Sequence, residues 1–244
     1  MTEQLLPHQP SQSLIGGIRC IEAIAASPEP VGTRALARKI GFEPTRVCRF
    51  LRTLAHLGIV HRTRRSKYEI GPGMHVLSEQ SLQMSGLLAR AVPPLVRLHV
   101  HGHSVALGVL WRDHVSYVYH AEPGMPVEHA IARMGLRVAS RSSIGLALLG
   151  RMSDAAVKAL FRGRAVPGYA DTGELLAALR VVRAGGYAFL VLDRKPYLAT
   201  LAVALEDPPY AAIALAGTIY RKQVPMLVAD LQMAAESISG RKTG

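Results

Sequence analysis

The sequence predicts two domains: an N-terminal winged helix-turn-helix, mainly α with a β-wing, and a larger C-terminal α/β domain with a mostly antiparallel sheet. Three observations carry this. Between residues 33 and 70 a helix, a tight turn, a second and basic helix, and a basic hairpin follow one another. Beyond residue 98 the apolar period changes from that of a helix to that of a strand. The 244 residues suffice for one small and one ordinary domain.

Charge agrees with that division. The formal net charge is +12, and residues 1–75 carry 11 basic and 5 acidic groups. Residues 76–244 carry 18 and 12, the same surplus over more than twice the length. A basic excess concentrated in one small module points to a polyanion partner. No run of about 18 apolar residues suggests a membrane span, and the start MTEQLLPHQPSQ lacks the basic and apolar regions of a secretion signal. The expected place is the cytoplasm, where Cys20 and Cys48, both on predicted helices, stay free and buried.

Residues 1–12 are polar, contain prolines and are expected to be a disordered lead, with the winged domain spanning 13–73. Leu14, Ile18, Ile21, Ile24 and Ala25 give a helical pattern that stops before Pro28 and Pro30. Thr33 is placed to cap a second helix with Leu36, Ala37 and Ile40 inward, closed by Gly41. Its successor has Pro44 in the first turn and Val47, Phe50, Leu51 and Leu54 as its apolar face. Thr45, Arg46, Arg49, Arg52, Thr53 and His56 fall on the remaining circumference, and Gly58 suits the position just past the helix end. Strands at 59–62 and 67–70 then flank the turn 63–66, which projects Arg64 and Arg65. In all, residues 42–67 hold seven Lys or Arg against Glu43.

An amphipathic helix with a solvated basic face is common, and the order of elements is what favours DNA. Such a helix fits the major groove, where Arg offers guanine two donors and Thr touches a thymine methyl. Arg46 and Arg49, with Thr45, are placed for base edges, and Arg52, Arg64, Arg65 and Lys67 for phosphates.

A connecting helix is expected over 74–88, interrupted further on by Pro93 and Pro94, and a second domain over 89–244. Strands are expected at 104–111 and 115–121, around the turn Arg112-Asp113-His114. Ser142 or Ser143 caps a helix through Gly150, Ser153 one through Phe161, and Asp171 or Thr172 one through Ala184. Strands at 200–205 and 210–216 and a helix from about 223 to 238 complete the domain. Hairpin-length turns leave no room for parallel crossovers.

The segments LARKIGFEPTRVCRFLRTLAHLGIV and YEIGPGMHVL resemble the winged helix-turn-helix of the IclR family of bacterial transcriptional regulators. RMGLRVASRSSIGLALLG, Gly186-Tyr187-Ala188 and AAIALAGTIYR resemble that family's effector-binding domain, which is GAF-like. The resemblance implies a regulator of transcription, a homodimer or tetramer, binding a palindromic double-stranded DNA operator. It also implies a small organic acid effector. The same resemblance places effector contacts at Ser143, Ile144, Asp193, Thr200, Ala214 and Ala216. Here the chain departs from the family pattern. Gly145-Leu146-Ala147 stands where Gly-Lys-Ala is common, Thr200 where Cys is frequent, and Ala214 and Ala216 where serines are frequent. Phe189-Leu190-Val191-Leu192 replaces acidic residues and leaves Asp193. These changes exchange polar for apolar surface, and burying apolar ligand surface gains about 25 cal/mol per Å². An effector larger and less polar than glyoxylate or pyruvate, such as an aromatic acid, is expected, with backbone N–H groups near Ser143 and Ile144 receiving its carboxylate. The competing expectation is a pocket that has lost ligand binding.

Other constellations carry less. His99, His101 and His103 alternate as strand ligands do, but no Cys, Asp or Glu nearby completes a site and the segment follows a helix end. Ser142, Ser143 and Asp193 with scattered histidines lack a nucleophile elbow, and Gly16-Gly17 lacks a dinucleotide fingerprint. No metal, cofactor or catalysis is therefore expected. The alternative function is a small-molecule binding protein whose basic module contacts RNA or a protein partner, although exposed aromatics for base stacking are missing.

Overall fold

The computed structural model describes residues 10–131, 134–194 and 197–240. The chain divides into two compact units between Ser85 and Gly86. Residues 1–9 of the expected lead lie outside the described residues. Helix α1 (Gln12–Ala25) begins within that lead, where the Ser11 side chain accepts a hydrogen bond from the Leu14 N–H.

In the first unit, α1, α2 (Thr33–Ile40) and α3 (Pro44–His56) enclose a core of Cys20, Ile24, Leu36, Val47, Leu51 and Tyr68. The buried stripe of α1 is Gly16, Cys20, Ala23 and Ile24, whereas Leu14 and Ile18 are 64% and 38% exposed. The apolar pattern of α1 thus runs beyond its packed face. Gly32, not Thr33, precedes α2 as its cap residue, and no side chain caps it. Gly41 closes that helix at φ +72°. Cys48 is half-buried rather than buried.

Strands β1 (Val60–Arg62) and β2 (Tyr68–Ile70) pair antiparallel, with Val60 opposite Ile70. Val31, in the loop between α1 and α2, adds a bridge to Tyr68 with two backbone bonds of 2.8 Å. The wing is therefore tied to the loop before α2 as well as to its own hairpin. Helix α4 (Pro72–Ser85) follows and has no buried residue.

The helix expected to run on to Pro93 stops instead at Gly86, which sits at φ +58°. Pro93 and Pro94 lie inside α5 (Leu87–Leu98). Each lacks the N–H that would bond the carbonyl four residues back, yet Leu87, Ala91, Leu95 and Leu98 are buried and hold the helix on the sheet. Tertiary burial outweighs the local penalty here.

The second unit is built on six strands in the order β5-β4-β3-β8-β7-β6, all neighbours antiparallel. They are β3 (Ser104–Trp111), β4 (His114–Ala121), β5 (Arg137–Val138), β6 (Ala188–Arg194), β7 (Tyr197–Ala204) and β8 (Ala211–Gly217). Strands β5 and β6 were not expected. The first is two residues long, and the second follows a helix with only Gly186 and Tyr187 between.

Alternation divides each strand. Val105, Leu107, Leu201, Ile213 and Leu215 face α5 and α9 (Val224–Ser239). Ala106, Ala202, Ala212 and Ala214 face α6 (Ser143–Gly150), α7 (Asp154–Leu160) and α8 (Thr172–Gly185). The small face lets α6 lie close: all eight of its residues are buried, and a Cβ on Gly108 would stand 3.0 Å from Ile144. Gly145 is equally constrained, since its Cβ would meet the Ala139 carbonyl oxygen at 2.1 Å. Ser142, Ser153 and Asp171 cap α6, α7 and α8 through their side chains.

Candidate nucleic-acid interface and effector cleft

Helix α3 is positioned by burial of Val47 and Leu51, both fully enclosed. At 100° per residue, Thr45, Arg46, Arg49, Arg52, Thr53 and His56 then share an arc of about 120° on the opposite side. All six are exposed. The Thr53 hydroxyl donates to the Arg49 carbonyl at 3.1 Å, which ties its oxygen to the helix. Among the described residues, Arg49, Arg52, Arg64, Arg65 and Lys67 form no ion pair with a carboxylate.

Arg46 is different. Its guanidinium carbon lies 5.3 Å from the Phe42 ring centroid and 5.9 Å from that of Phe50, and the two rings meet edge to face at 5.9 Å. Arg19 of α1 lies 5.8 Å from the Phe42 centroid as well.

The wing presents its charge by local bonds. Thr63 N–H donates to the Lys67 carbonyl at 2.8 Å, Ser66 N–H to the Thr63 carbonyl at 3.0 Å, and Ser66 takes φ +57°. Arg62 reaches back to the Ser66 hydroxyl at 3.0 Å. Arg64 and Arg65 stand exposed within this turn.

Sequence reasoning missed Arg34 and Arg38. Both are exposed on α2 and line a concavity of about 860 Å³ with Phe42, Glu43 and Arg46. Their spacing of four on a short helix was the available signal.

In the second unit, register brings most of the expected effector residues onto one face. Ala214 pairs with Ala106 and Ala202, and two residues on Ala216 pairs with Ser104 and Thr200. Both rows share the face covered by α6, where Ser143 and Ile144 are buried at the helix start. The Thr200 hydroxyl oxygen is buried without a hydrogen-bond partner. Asp193 lies farther out, exposed near the end of β6, its carboxylate accepting from the Arg194 N–H at 2.6 Å.

Tyr117 was not anticipated. Its hydroxyl is 3.0 Å from that of Ser142, and its ring meets His120 edge to face at 6.4 Å. Alternation in HVSYVYHA places Tyr117 toward α6, but the register shift after Leu107 sets its height on the sheet. The Ser142 hydroxyl accepts from the Gly145 N–H at 3.3 Å besides meeting Tyr117.

His99 and His101 lie on a short 3-10 turn after α5 rather than on a strand, and His103 lies just beyond it. A carboxylate does come near: Asp230 of α9 pairs with His101 at 2.9 Å. His103 is buried, and desolvation followed by the proximity of His101 lowers its pKa from the usual 6.5. Among the described residues no group of three metal-ligating side chains comes together. Burial pushes the Cys20 thiol up to about 11, which makes it unreactive.

Comparison with known proteins adds independent support. The IclR helix-turn-helix domain matches residues 14–64, and the bacterial transcriptional regulator IclR C-terminal domain matches residues 79–240. The chain is 27% identical over 223 residues to the transcriptional repressor IclR of Escherichia coli K12, covering 86% of this chain and 81% of that protein. An IclR family transcriptional regulator from Brucella abortus superposes with a TM-score of 0.78 at 19% identity, covering 97% of this chain and 94% of that one. An IclR homolog from Microbacterium hydrocarbonoxydans complexed with 4-hydroxybenzoate gives 0.64 at 19% identity, covering 93% and 98%. A helix-turn-helix unit, a curled antiparallel sheet clad by helices, and family matches across both units lead to one conclusion: the chain belongs to the IclR family of bacterial transcriptional regulators.

Proposed function

We propose that this regulator reads a palindromic duplex operator through α3 and the wing, and that an aromatic carboxylic acid bound against the alanine face of the second unit alters its DNA binding or its recruitment of polymerase. The observation that carries the first half is the exposed arc of Thr45, Arg46, Arg49, Arg52 and Thr53 beside a wing tip of Arg64, Arg65 and Lys67. The second half rests on Ala106, Ala202, Ala214 and Ala216, which bring neither bulk nor a hydrogen-bonding side chain to the sheet face beneath α6. Glyoxylate and pyruvate offer little surface to such a floor, whereas an aromatic ring gains about 25 cal/mol per Å² buried. The complex of a structural neighbour with 4-hydroxybenzoate supports the same class of ligand.

A homodimer suits a palindromic operator, and apolar side chains are available for it. On α4, Val76, Leu77 and Met84 are 55%, 51% and 90% exposed, and Leu14 and Ile18 add to them on α1. Regulation of transcription places the protein in the cytoplasm. No described helix is long and apolar enough to cross a membrane.

The deciding experiment selects duplexes from a random library with the full-length protein. Competition of the selected duplex against random duplex and single-stranded RNA follows, with and without 4-hydroxybenzoate. Preference for the selected duplex, altered by the acid, is expected. Equal affinity for RNA, or DNA affinity, footprint and polymerase recruitment all unmoved by aromatic acids, contradicts the corresponding half.

A further inference from the structure

We infer that Phe42 and Phe50 are positioning residues that preset the Arg46 guanidinium for a guanine in the operator, so that specificity at that base pair depends on two aromatic rings as well as on the arginine. The inference rests on the proposed reading of duplex DNA by α3 and names how one base is read.

The geometry supplies the reasons. An arginine has a flat π face and an in-plane edge carrying five N–H donors, and the two can be used at once. In Arg46 the guanidinium carbon stands within 6 Å of two ring centroids, 5.3 Å from Phe42 and 5.9 Å from Phe50. These contacts draw the cation to ring electrons without setting its N–H donors against a carboxylate or carbonyl acceptor. Among the described residues no carboxylate pairs with Arg46. The donor fork therefore stays available for the two acceptors of guanine.

The rings are themselves fixed. Phe42 and Phe50 meet edge to face at 5.9 Å with planes 82° apart, the favourable aromatic geometry. Phe42 precedes α3 and Phe50 lies within it, six residues beyond Pro44 at the helix start. Their corner is thus anchored to the recognition helix on both sides of Arg46. A free arginine loses much rotamer freedom when it is ordered on DNA, and a side chain ordered beforehand loses less. Among the described residues, Arg49 and Arg52 on the same arc make no cation–π contact, so on that arc the device is particular to Arg46.

The test uses full-length protein, the operator selected from the random library, and a random duplex of equal length. Phe42→Leu and Phe42→Met keep an apolar side chain but remove the ring face, Phe42→Tyr keeps the face, and Arg46→Ala removes the guanidinium. Loss of the ring is expected to lower the ratio of operator to random-duplex affinity roughly three- to tenfold. Random-duplex affinity and its salt slope stay unchanged. Arg46→Ala lowers the ratio further, Phe42→Tyr preserves it, and the double variant Phe42→Leu with Arg46→Ala matches Arg46→Ala alone. Additive losses, or losses shared equally by random duplex, overturn the inference while leaving operator reading intact. A library that yields no operator removes the proposed function and this inference with it. Should Phe42→Leu fail to fold, Phe42→Met and Phe42→Tyr decide between the same outcomes.

Discussion

Gly16 of α1 lies directly against the ring of Phe50 in α3: a Cβ built on Gly16 would stand 2.2 Å from Phe50 Cε2. The absence of that one carbon lets the ring sit across α1 and form its corner with Phe42. Gly16→Ala should destabilise the N-terminal unit by about 1–3 kcal/mol through overpacking. Gly17, whose added Cβ meets nothing within 4 Å, is the control. Gly17→Ala should be neutral or stabilising by roughly 0.5–1 kcal/mol from helix propensity alone. Thermal unfolding of the two variants would settle the point, and equal shifts would exclude the packing explanation.

Arg49 and Arg65 should separate base reading from phosphate contact. Arg49 projects from the exposed arc of α3, and Arg65 from the wing turn. Arg49→Ala should cost roughly 1–3 kcal/mol on the operator and relax preference at one base. Arg65→Ala should weaken all duplexes alike and reduce the salt slope by about one unit. Indistinguishable profiles on operator and random DNA would refute this division.

The alanine floor gives a prediction about ligand choice. Ala214→Ser with Ala216→Ser adds two hydroxyls to adjacent rows of that sheet face, beside the buried Thr200 oxygen. Calorimetry should show weaker binding of aromatic acids and a relative gain for pyruvate or glyoxylate. Tight binding of those small acids by the unaltered protein, with none of aromatic acids, would reverse the assignment.

Acid should destabilise the C-terminal unit in part through His103. Burial and neighbouring His101 hold its folded pKa below the usual 6.5, so the unfolded chain binds a proton that the folded chain refuses. No penalty exists well above pH 6.5, and stability falls as pH drops below it. His103→Asn should shrink proton uptake on unfolding by up to about one in that window. An unchanged pH slope of the melting temperature would rule His103 out as a contributor.

The exposed apolar residues of α4 predict self-association. Met84→Asp and Leu77→Asp should shift sedimentation toward monomer and cost operator affinity more than affinity for a half-site. A monomeric parent protein would remove the basis for the palindrome.

Much of this was written locally. Gly41 and Gly58 at positive φ, Pro44 in the first turn and the cap Ser153 depend on neighbours within four residues, so the sequence announces them, while it narrows the caps of α6 and α8 to two adjacent residues each, of which the structure uses Ser142 and Asp171. The basic arc of α3 follows from the same 3.6-residue period that buries Val47 and Leu51. Errors arose where a local signal met a distant contact. Pro93 and Pro94 read as a helix break, but burial of α5 against the sheet and α9 overrode them.

By itself, then, the sequence determined the family, the order of elements and the charged reading face, because these are properties of composition and short-range periodicity. Tertiary structure decided which face of α1 was left bare, how Val31 ties down the wing, which histidine Asp230 would meet, and how Phe42 and Phe50 take hold of Arg46. The physical reason is common to all four. Each depends on side chains or strands supplied by separate segments, and where those segments meet is set by packing in three dimensions rather than by any repeat along the chain.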